Sequence, residues 1–232
     1  MEEILQFTQG PLFRLAFALL VAGLFRRFVL ILWPAVIAWR RSRDRSLNRK
    51  AIVRDIAIWL FPIHQAWRSQ DVFTVISYVF HIGLVLVPLF LAEHVSLWAA
   101  STGITLPALP NGIADVLTIL TIAGVSILLV VRLTSRLVRT FTRTEDIVVL
   151  VMILLPFLTG YAASASWNPF SYNLMLLLHI LSAEALMIAI PFTKLSHCIF
   201  FPFSRVCAEL GSKLVTDCDY TYTSPLAKGT ES

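Results

Sequence analysis

The sequence predicts an all-α, polytopic membrane protein built as a bundle of five transmembrane helices. Three observations predict it. Residues of the set AVILMFWYC make up 57% of the 232-residue chain, charged residues only 14%, and mean hydropathy is +0.78. A soluble domain carries about 25% charged and 45–50% apolar residues. The apolar residues fall into five runs, each near the roughly 20 residues that a spanning helix needs. The basic residues gather in alternate connections between those runs. That placement explains the net charge of +5 as membrane topology rather than nucleic-acid binding. With 9 Gly, 11 Pro and 3 Cys, the chain is neither collagenous nor a disulfide framework.

The first apolar run begins near Pro11 and continues to about Trp39, with Arg26 and Arg27 inside it. It is too long for one crossing, so the span is placed at about 11–33, with the double Arg near the headgroups. The N-terminus MEEILQF is acidic where a cleavable signal would be basic, so this run is expected to be retained. The second span is expected at 72–98, the third at 113–133, the fourth at 147–165 and the fifth at 172–197. The fifth lies between Pro169 and Pro202, and its helix is expected to continue toward Phe201. Residues 51–67 are apolar but interrupted by Arg54, Asp55 and Pro62, and read as an interfacial segment. Residues 1–202 thus form the membrane domain, and 203–232 a polar tail. No internal repeat or low-complexity tract is present.

Topology follows from charge. Eight Lys/Arg lie between Arg40 and Arg68, four between Arg132 and Arg143, and four from Lys194 onward. The first ten residues, 99–112 and 166–174 contain none. The positive-inside rule therefore puts the N-terminus outside and the C-terminus in the cytoplasm, which agrees with an odd number of spans.

Five histidines occur, at 64, 81, 94, 179 and 197. His81, His94 and His179 sit in strongly apolar runs (FHIGLVLV, LFLAEHVSLW, LMLLLHILSA), and His197 follows Lys194 in TKLSHCIFFP. An ionisable side chain at membrane depth is costly and normally faces the bundle interior. Imidazole is also a common heme axial ligand. Two His on the second span and two on the fifth are what two bis-His b hemes require, one near each membrane face. At 1.5 Å per residue, His81 to His94 covers about 20 Å and His179 to His197 about 27 Å, within a layer about 30 Å thick. Eighteen residues at about 100° each return His197 to the face of His179, whereas thirteen turn His94 about 220° from His81. Pro88 lies between that mismatched pair and offers a kink. The two spans run antiparallel, so His94 pairs with His179 near the outer face and His81 with His197 near the cytoplasmic face. Buried hydrogen-bonded His or a proton relay is the plainer alternative. One zinc ion cannot be reached from two depths. His64, beside Pro62, reads as structural.

At these residues the chain resembles a known family, the gamma-subunit cytochrome b of respiratory nitrate reductase and its relatives. The relatives include the membrane cytochromes of sulfate reducers' transmembrane redox complexes, built around a high-molecular-weight or type-I tetraheme cytochrome c. The resemblance covers most of residues 8–205. It is carried by PLFRLAFALLVAGLFRR in the first span, FHIGL opening the second and KLSHCIFFP closing the fifth. It implies a five-helix bundle with two b hemes ligated from the second and fifth helices. His81, His179 and His197 correspond to the family's ligands. The nitrate-reductase members place the second His of that helix closer to the first, where this chain has Leu91 and Ala92. LFLAEHVSLW looks closer to the sulfate-reducer branch, which is favoured over nitrate reduction itself.

The resemblance further implies a quinone substrate, menaquinone, and a cytoplasmic iron–sulfur subunit. It also implies a periplasmic multiheme cytochrome c with other membrane subunits, and residence in the bacterial cytoplasmic (inner) membrane as a multi-pass protein. Membrane lipid is the remaining partner, and nucleic acid is not one.

Other residues carry paired readings. Glu93, beside His94, is a quinol proton acceptor or a solvated helix-end acid. Arg132, Arg136 and Arg139 are heme-propionate partners or positive-inside anchors. Glu184 is a protonated interhelical group or part of a proton path. Trp98, Trp167 and Asn168 cap the outer ends, and Gly23, Gly83, Gly124 and Gly160 read as packing positions. Cys198, Cys207 and Cys218 make no cluster motif, so an iron–sulfur centre within the chain is not expected. Two rival classes remain: a heme-free anchor of a redox complex, and a proton-coupled transporter subunit using the buried His and Glu184.

Overall fold

The computed structural model describes residues 1–41, 50, 53, 54, 57, 58, 72–165, 170–201, 203, 204 and 207. Most of these residues are helical, and no strand occurs among them. The interfacial segment 51–67 (apart from four helical residues), His64, Trp167, Asn168, Pro169, Pro202, Cys218 and nearly all of the tail lie outside the described residues.

The chain divides into two compact units, residues 1–24 with 63–196 and residues 25–62 with 197–232. In chain order the helices are α1 (Glu2–Phe7), α2 (Phe13–Arg41), α3 (Val72–Phe90), α4 (Ala92–Thr102), α5 (Asn111–Thr134), α6 (Arg136–Phe141), α7 (Thr144–Ser164) and α8 (Tyr172–Ala189). Four stretches are long and apolar enough to cross a membrane: Glu2–Pro34, Asn111–Thr134, Thr144–Ser164 and Tyr172–Phe192. The pair α3 and α4, bent by 53°, makes a fifth if it counts as one crossing. No more than 22% of any of the four apolar windows is buried. Helices that turn large side chains such as Phe25, Trp33 and Val116 outward need lipid around them, because water would leave that surface uncompensated. The chain is a membrane protein.

Three breaks in the helices differ from the sequence expectation. The first helix does not begin at Pro11. The helix starts at Glu2 and passes Pro11 through a π-turn, Thr8–Leu12. Proline lacks an N–H and crowds the preceding turn, and one wider turn accommodates both defects. The second span is not one helix to Trp98. It breaks at Leu91, whose ψ of 136° is extended, and resumes as α4 up to Gly103 in the left-handed conformation (φ 76°). The fifth helix stops at Ala189. Pro191 sits in a 3₁₀ turn (Ile190–Phe192), Thr193 is extended, a second 3₁₀ turn covers Lys194–Ser196, and helix resumes at His197. A straight-helix rise or phase count therefore applies neither from His81 to His94 nor from His179 to His197.

The remaining ends obey local chemistry. In α5, Arg132 in the last turn complements the helix dipole, and Ser135 then caps α6 by accepting the Val138 N–H at 3.5 Å. At the start of α7 the Asp146 carboxylate accepts the Arg143 backbone N–H at 2.9 Å. Lys194 reaches that carboxylate at 2.7 Å and ties the start of α7 to the turn after α8. The pair is solvent-exposed on the lysine side, so Lys194→Ala should lower stability by less than about 1 kcal/mol, readable as a thermal shift of the purified protein.

In the first unit α3 packs on α5, α5 on α7 and α7 on α8, while α8 also meets the Thr8–Leu12 π-turn. The core comprises Phe80, Val87, Val125, Leu150, Ile153, Phe157 and Leu195. Glycines set the close approaches. A Cβ at Gly83 would stand 2.8 Å from the Leu117 carbonyl oxygen and strike the Thr121 hydroxyl, and one at Gly124 would stand 3.0 Å from Phe80 Cβ. Gly23 lies against the Pro191 ring in the same way. Gly83→Ala should therefore destabilise the protein by about 1–3 kcal/mol through forced separation of α3 from α5. Gly10→Ala, where nothing lies within 4 Å, is the control in the same thermal assay.

In the second unit Phe28 of α2 meets Phe200 and Phe203, with ring centroids 6.5 Å and 5.3 Å apart, and the Cys207 thiol reaches the Ile31 carbonyl at 3.5 Å.

Candidate functional site

The first unit brings two of the candidate histidines together. His94 stands in the first turns of α4 and His179 in α8. Their ring centroids are 5.8 Å apart and their planes differ by 6°. The break at Leu91 positions His94. It frees carbonyls at the end of α3, and each one must find a donor. The Phe90 carbonyl takes the Leu109 N–H at 2.7 Å. The Pro88 carbonyl takes the Trp98 indole N–H at 3.2 Å. His94 stands beside the Val87 and Pro88 carbonyls at the end of α3. Trp98, one turn beyond His94, packs in turn against Phe13 and Phe17 of α2, at centroid distances of 5.4 Å and 5.6 Å.

His179 is held from α7. Its Nδ1 lies 2.8 Å from the Pro156 carbonyl oxygen. A carbonyl only accepts, so Nδ1 carries the proton and Nε2 keeps its lone pair. One turn beyond Pro156, Gly160 gives the ring its room, since a Cβ there would stand 2.8 Å from His179 Cε1 and 2.9 Å from Nδ1. His81 follows the same rule on α3, with Nδ1 donating to the Ser77 carbonyl. Metal-bound histidines are normally oriented by such second hydrogen bonds.

The two rings are near-parallel and stacked at 5.8 Å. Imidazole is a common metal and heme ligand, and the His179 Nε2 lone pair is a donor of that kind.

The other candidates are placed as follows. His81 and His197 belong to different units and are described separately. His197 is exposed, with Nε2 3.6 Å from the Cys198 thiol. Glu93 is exposed in the first turn of α4, where the helix dipole favours an acid. Arg132 lies within electrostatic reach of Asp146. Arg136 and Arg139 are exposed on α6. Glu184 is buried in α8.

Pro156 and the Leu91 break contribute to the site without having been singled out in the sequence, while Gly160, read there as a packing position, makes room for the His179 ring. The only available clue was the spacing of Pro156 and Gly160, one turn apart on the fourth span.

The fold and site define the class: a helical membrane protein with two imidazoles stacked across a helix pair, His94 on α4 and His179 on α8. The chain belongs to the same family as a protein of Nitratidesulfovibrio vulgaris (strain Hildenborough), to which it is 37% identical over 205 residues, 86% of this chain and 89% of that one. That relative bears no functional name. No protein-family model and no solved structure matches the chain.

Proposed function

We propose that this protein is a diheme b-type cytochrome subunit of a membrane-bound respiratory redox complex. It moves electrons between a quinone or periplasmic donor side and a cytoplasmic iron–sulfur subunit. The single observation that carries the reading is the His94–His179 pair, two near-parallel imidazoles 5.8 Å apart. His94 and His179 would hold one b heme, and His81 and His197 the other. A heme supplies reversible one-electron chemistry at its iron.

The chain's own residues do the rest. The Pro156 carbonyl fixes the His179 tautomer and raises the basicity of Nε2. Trp98 of α4 packs against the Phe13 and Phe17 rings of α2 one turn beyond His94. Arg132 and Arg136 are the propionate partners, and Glu93 the acceptor of a quinol proton.

The topology belongs to the same proposal: five crossings of the bacterial cytoplasmic membrane, an outer N-terminus and a cytoplasmic C-terminus, with His94 and His179 toward the outside. It rests on the alternation of basic loops. Menaquinone is the quinone of this reading. Its partners are the iron–sulfur subunit, a periplasmic multiheme cytochrome c and further membrane subunits. The sulfate-reducer branch of the nitrate reductase gamma-subunit family supplies those assignments by resemblance.

The test is anaerobic addition of a menaquinol analogue to the purified complex. Reduction of the b-type bands to the extent reached with dithionite is expected. Dithionite reduction without quinol reduction would remove quinone from the scheme, and no b-type bands at all would leave a heme-free anchor.

A further inference from the structure

Among the described residues four polar or charged side chains are buried: Thr8, Thr121, Ser196 and Glu184. Three are satisfied locally. Thr8 donates to the Leu5 carbonyl at 3.0 Å, Thr121 to the Leu117 carbonyl at 2.7 Å and Ser196 to the Thr193 carbonyl at 3.1 Å. Glu184 is the exception. It is 4% exposed, and neither carboxyl oxygen has a hydrogen-bond partner among the described residues.

Its surroundings explain why. One turn away along α8 stand Ile180 and Leu181 on one side and Met187 and Ile188 on the other, all apolar. The titratable groups on the elements that meet α8 include Glu145, Asp146 and Tyr161 on α7, Glu2 and Glu3 on α1, and Glu93 and His94 on α4, with His179 on α8 itself. None of them bonds either Glu184 oxygen. Asp146 is already engaged by Lys194. An ionised carboxylate without a partner in an apolar layer costs several kcal/mol, and the group neutralises instead. A metal cation would need several oxygen or nitrogen donors around it, and here one carboxyl stands alone. The proton is the ligand this site fits.

We infer that Glu184 is a proton-binding site inside the membrane layer, holding its proton as a neutral carboxylic acid and exchanging it with water. The inference stands on burial and missing partners and does not need heme. If the heme reading also holds, Glu184 lies five residues from His179 on the same helix and offers a place for the proton that balances charge arriving there.

The experiment is labelling of the full-length purified protein with dicyclohexylcarbodiimide, an apolar reagent that reacts with carboxylic acids. The acid proton moves to a carbodiimide nitrogen, the carboxyl oxygen bonds the central carbon, and rearrangement leaves a stable N-acylurea. Peptide mass spectrometry maps the adduct. Labelling is expected at Glu184 and not at Glu145 or Asp146. It should fall about tenfold per pH unit once the pH exceeds the site's pKa. Glu184→Gln should abolish the adduct and Glu184→Asp should retain it. The wild-type map stands even if a variant fails to fold. No adduct at Glu184, or an adduct independent of pH, would overturn the inference. A reduced-minus-oxidised spectrum of the same sample reports on heme separately, so failure of one reading is distinguishable from failure of the other.

Discussion

His94→Ala and His179→Ala are each expected to remove the same one of two hemes, and the double variant is expected to lose no more than either single variant. Residues that serve one site are non-additive in this way, whereas residues of separate sites add. On the proposed reading the two rings, 5.8 Å apart across α4 and α8, serve one heme. His81→Ala should remove the other heme and leave the His94–His179 one in place. Heme content per chain, measured on purified variants with the intact protein alongside, reads all four outcomes. If the His94–His179 double variant lost both hemes while each single variant lost one, the pairing would be wrong. If His94→Ala lost none, that heme would have a different ligand.

The second large effect comes from a residue that cannot ligate anything. Gly160→Val is expected to cost the same heme as His179→Ala. Even a single Cβ at position 160 falls 2.8 Å from the imidazole, so the ring must swing away from the Pro156 carbonyl that sets its tautomer. Loss of a hydrogen bond that orients a metal-binding histidine typically weakens metal binding by about 10–100-fold. Gly160→Ala should show the milder form: weaker heme retention on dilution or gel filtration, and a shifted midpoint potential for that heme alone. Gly10→Ala, which meets no neighbour, should retain both hemes. Full retention in Gly160→Val, with unchanged spectra, would show that the His179 ring does not sit where heme would need it.

Much of this architecture was legible in the sequence because membrane helices have a strong compositional signature. The third and fourth spans, expected at 113–133 and 147–165, differ from Asn111–Thr134 and Thr144–Ser164 by three residues or fewer at each end. The approach of His94 to His179 followed from antiparallel spans alone. The breaks were less legible. Proline 88 pointed to a kink, but the helix continues past it and opens at Leu91, an ordinary helix former. What holds the opening are partners distant in sequence: the Trp98 indole on the Pro88 carbonyl and the Leu109 N–H on the Phe90 carbonyl. Local propensity carries no information about such captures.

Pro191 was overlooked for a related reason. The run from Tyr172 onward is apolar on both sides of it, so hydropathy passes through while the backbone changes to 3₁₀ turns. The supporting shell of His179 was hidden because a carbonyl and a glycine have no side-chain chemistry to mark them. Glu184 was visible as an acid in a span, but its isolation emerged only from the three-dimensional list of its neighbours.

The central claim is that the chain carries two b hemes held by histidine pairs. The most direct measurement is a pyridine hemochrome assay with a reduced-minus-oxidised spectrum on the purified protein, referred to chain concentration. Two b-type hemes per chain, with His94→Ala reduced to one, is the predicted result. A protein that folds in the membrane and carries no heme would contradict the account.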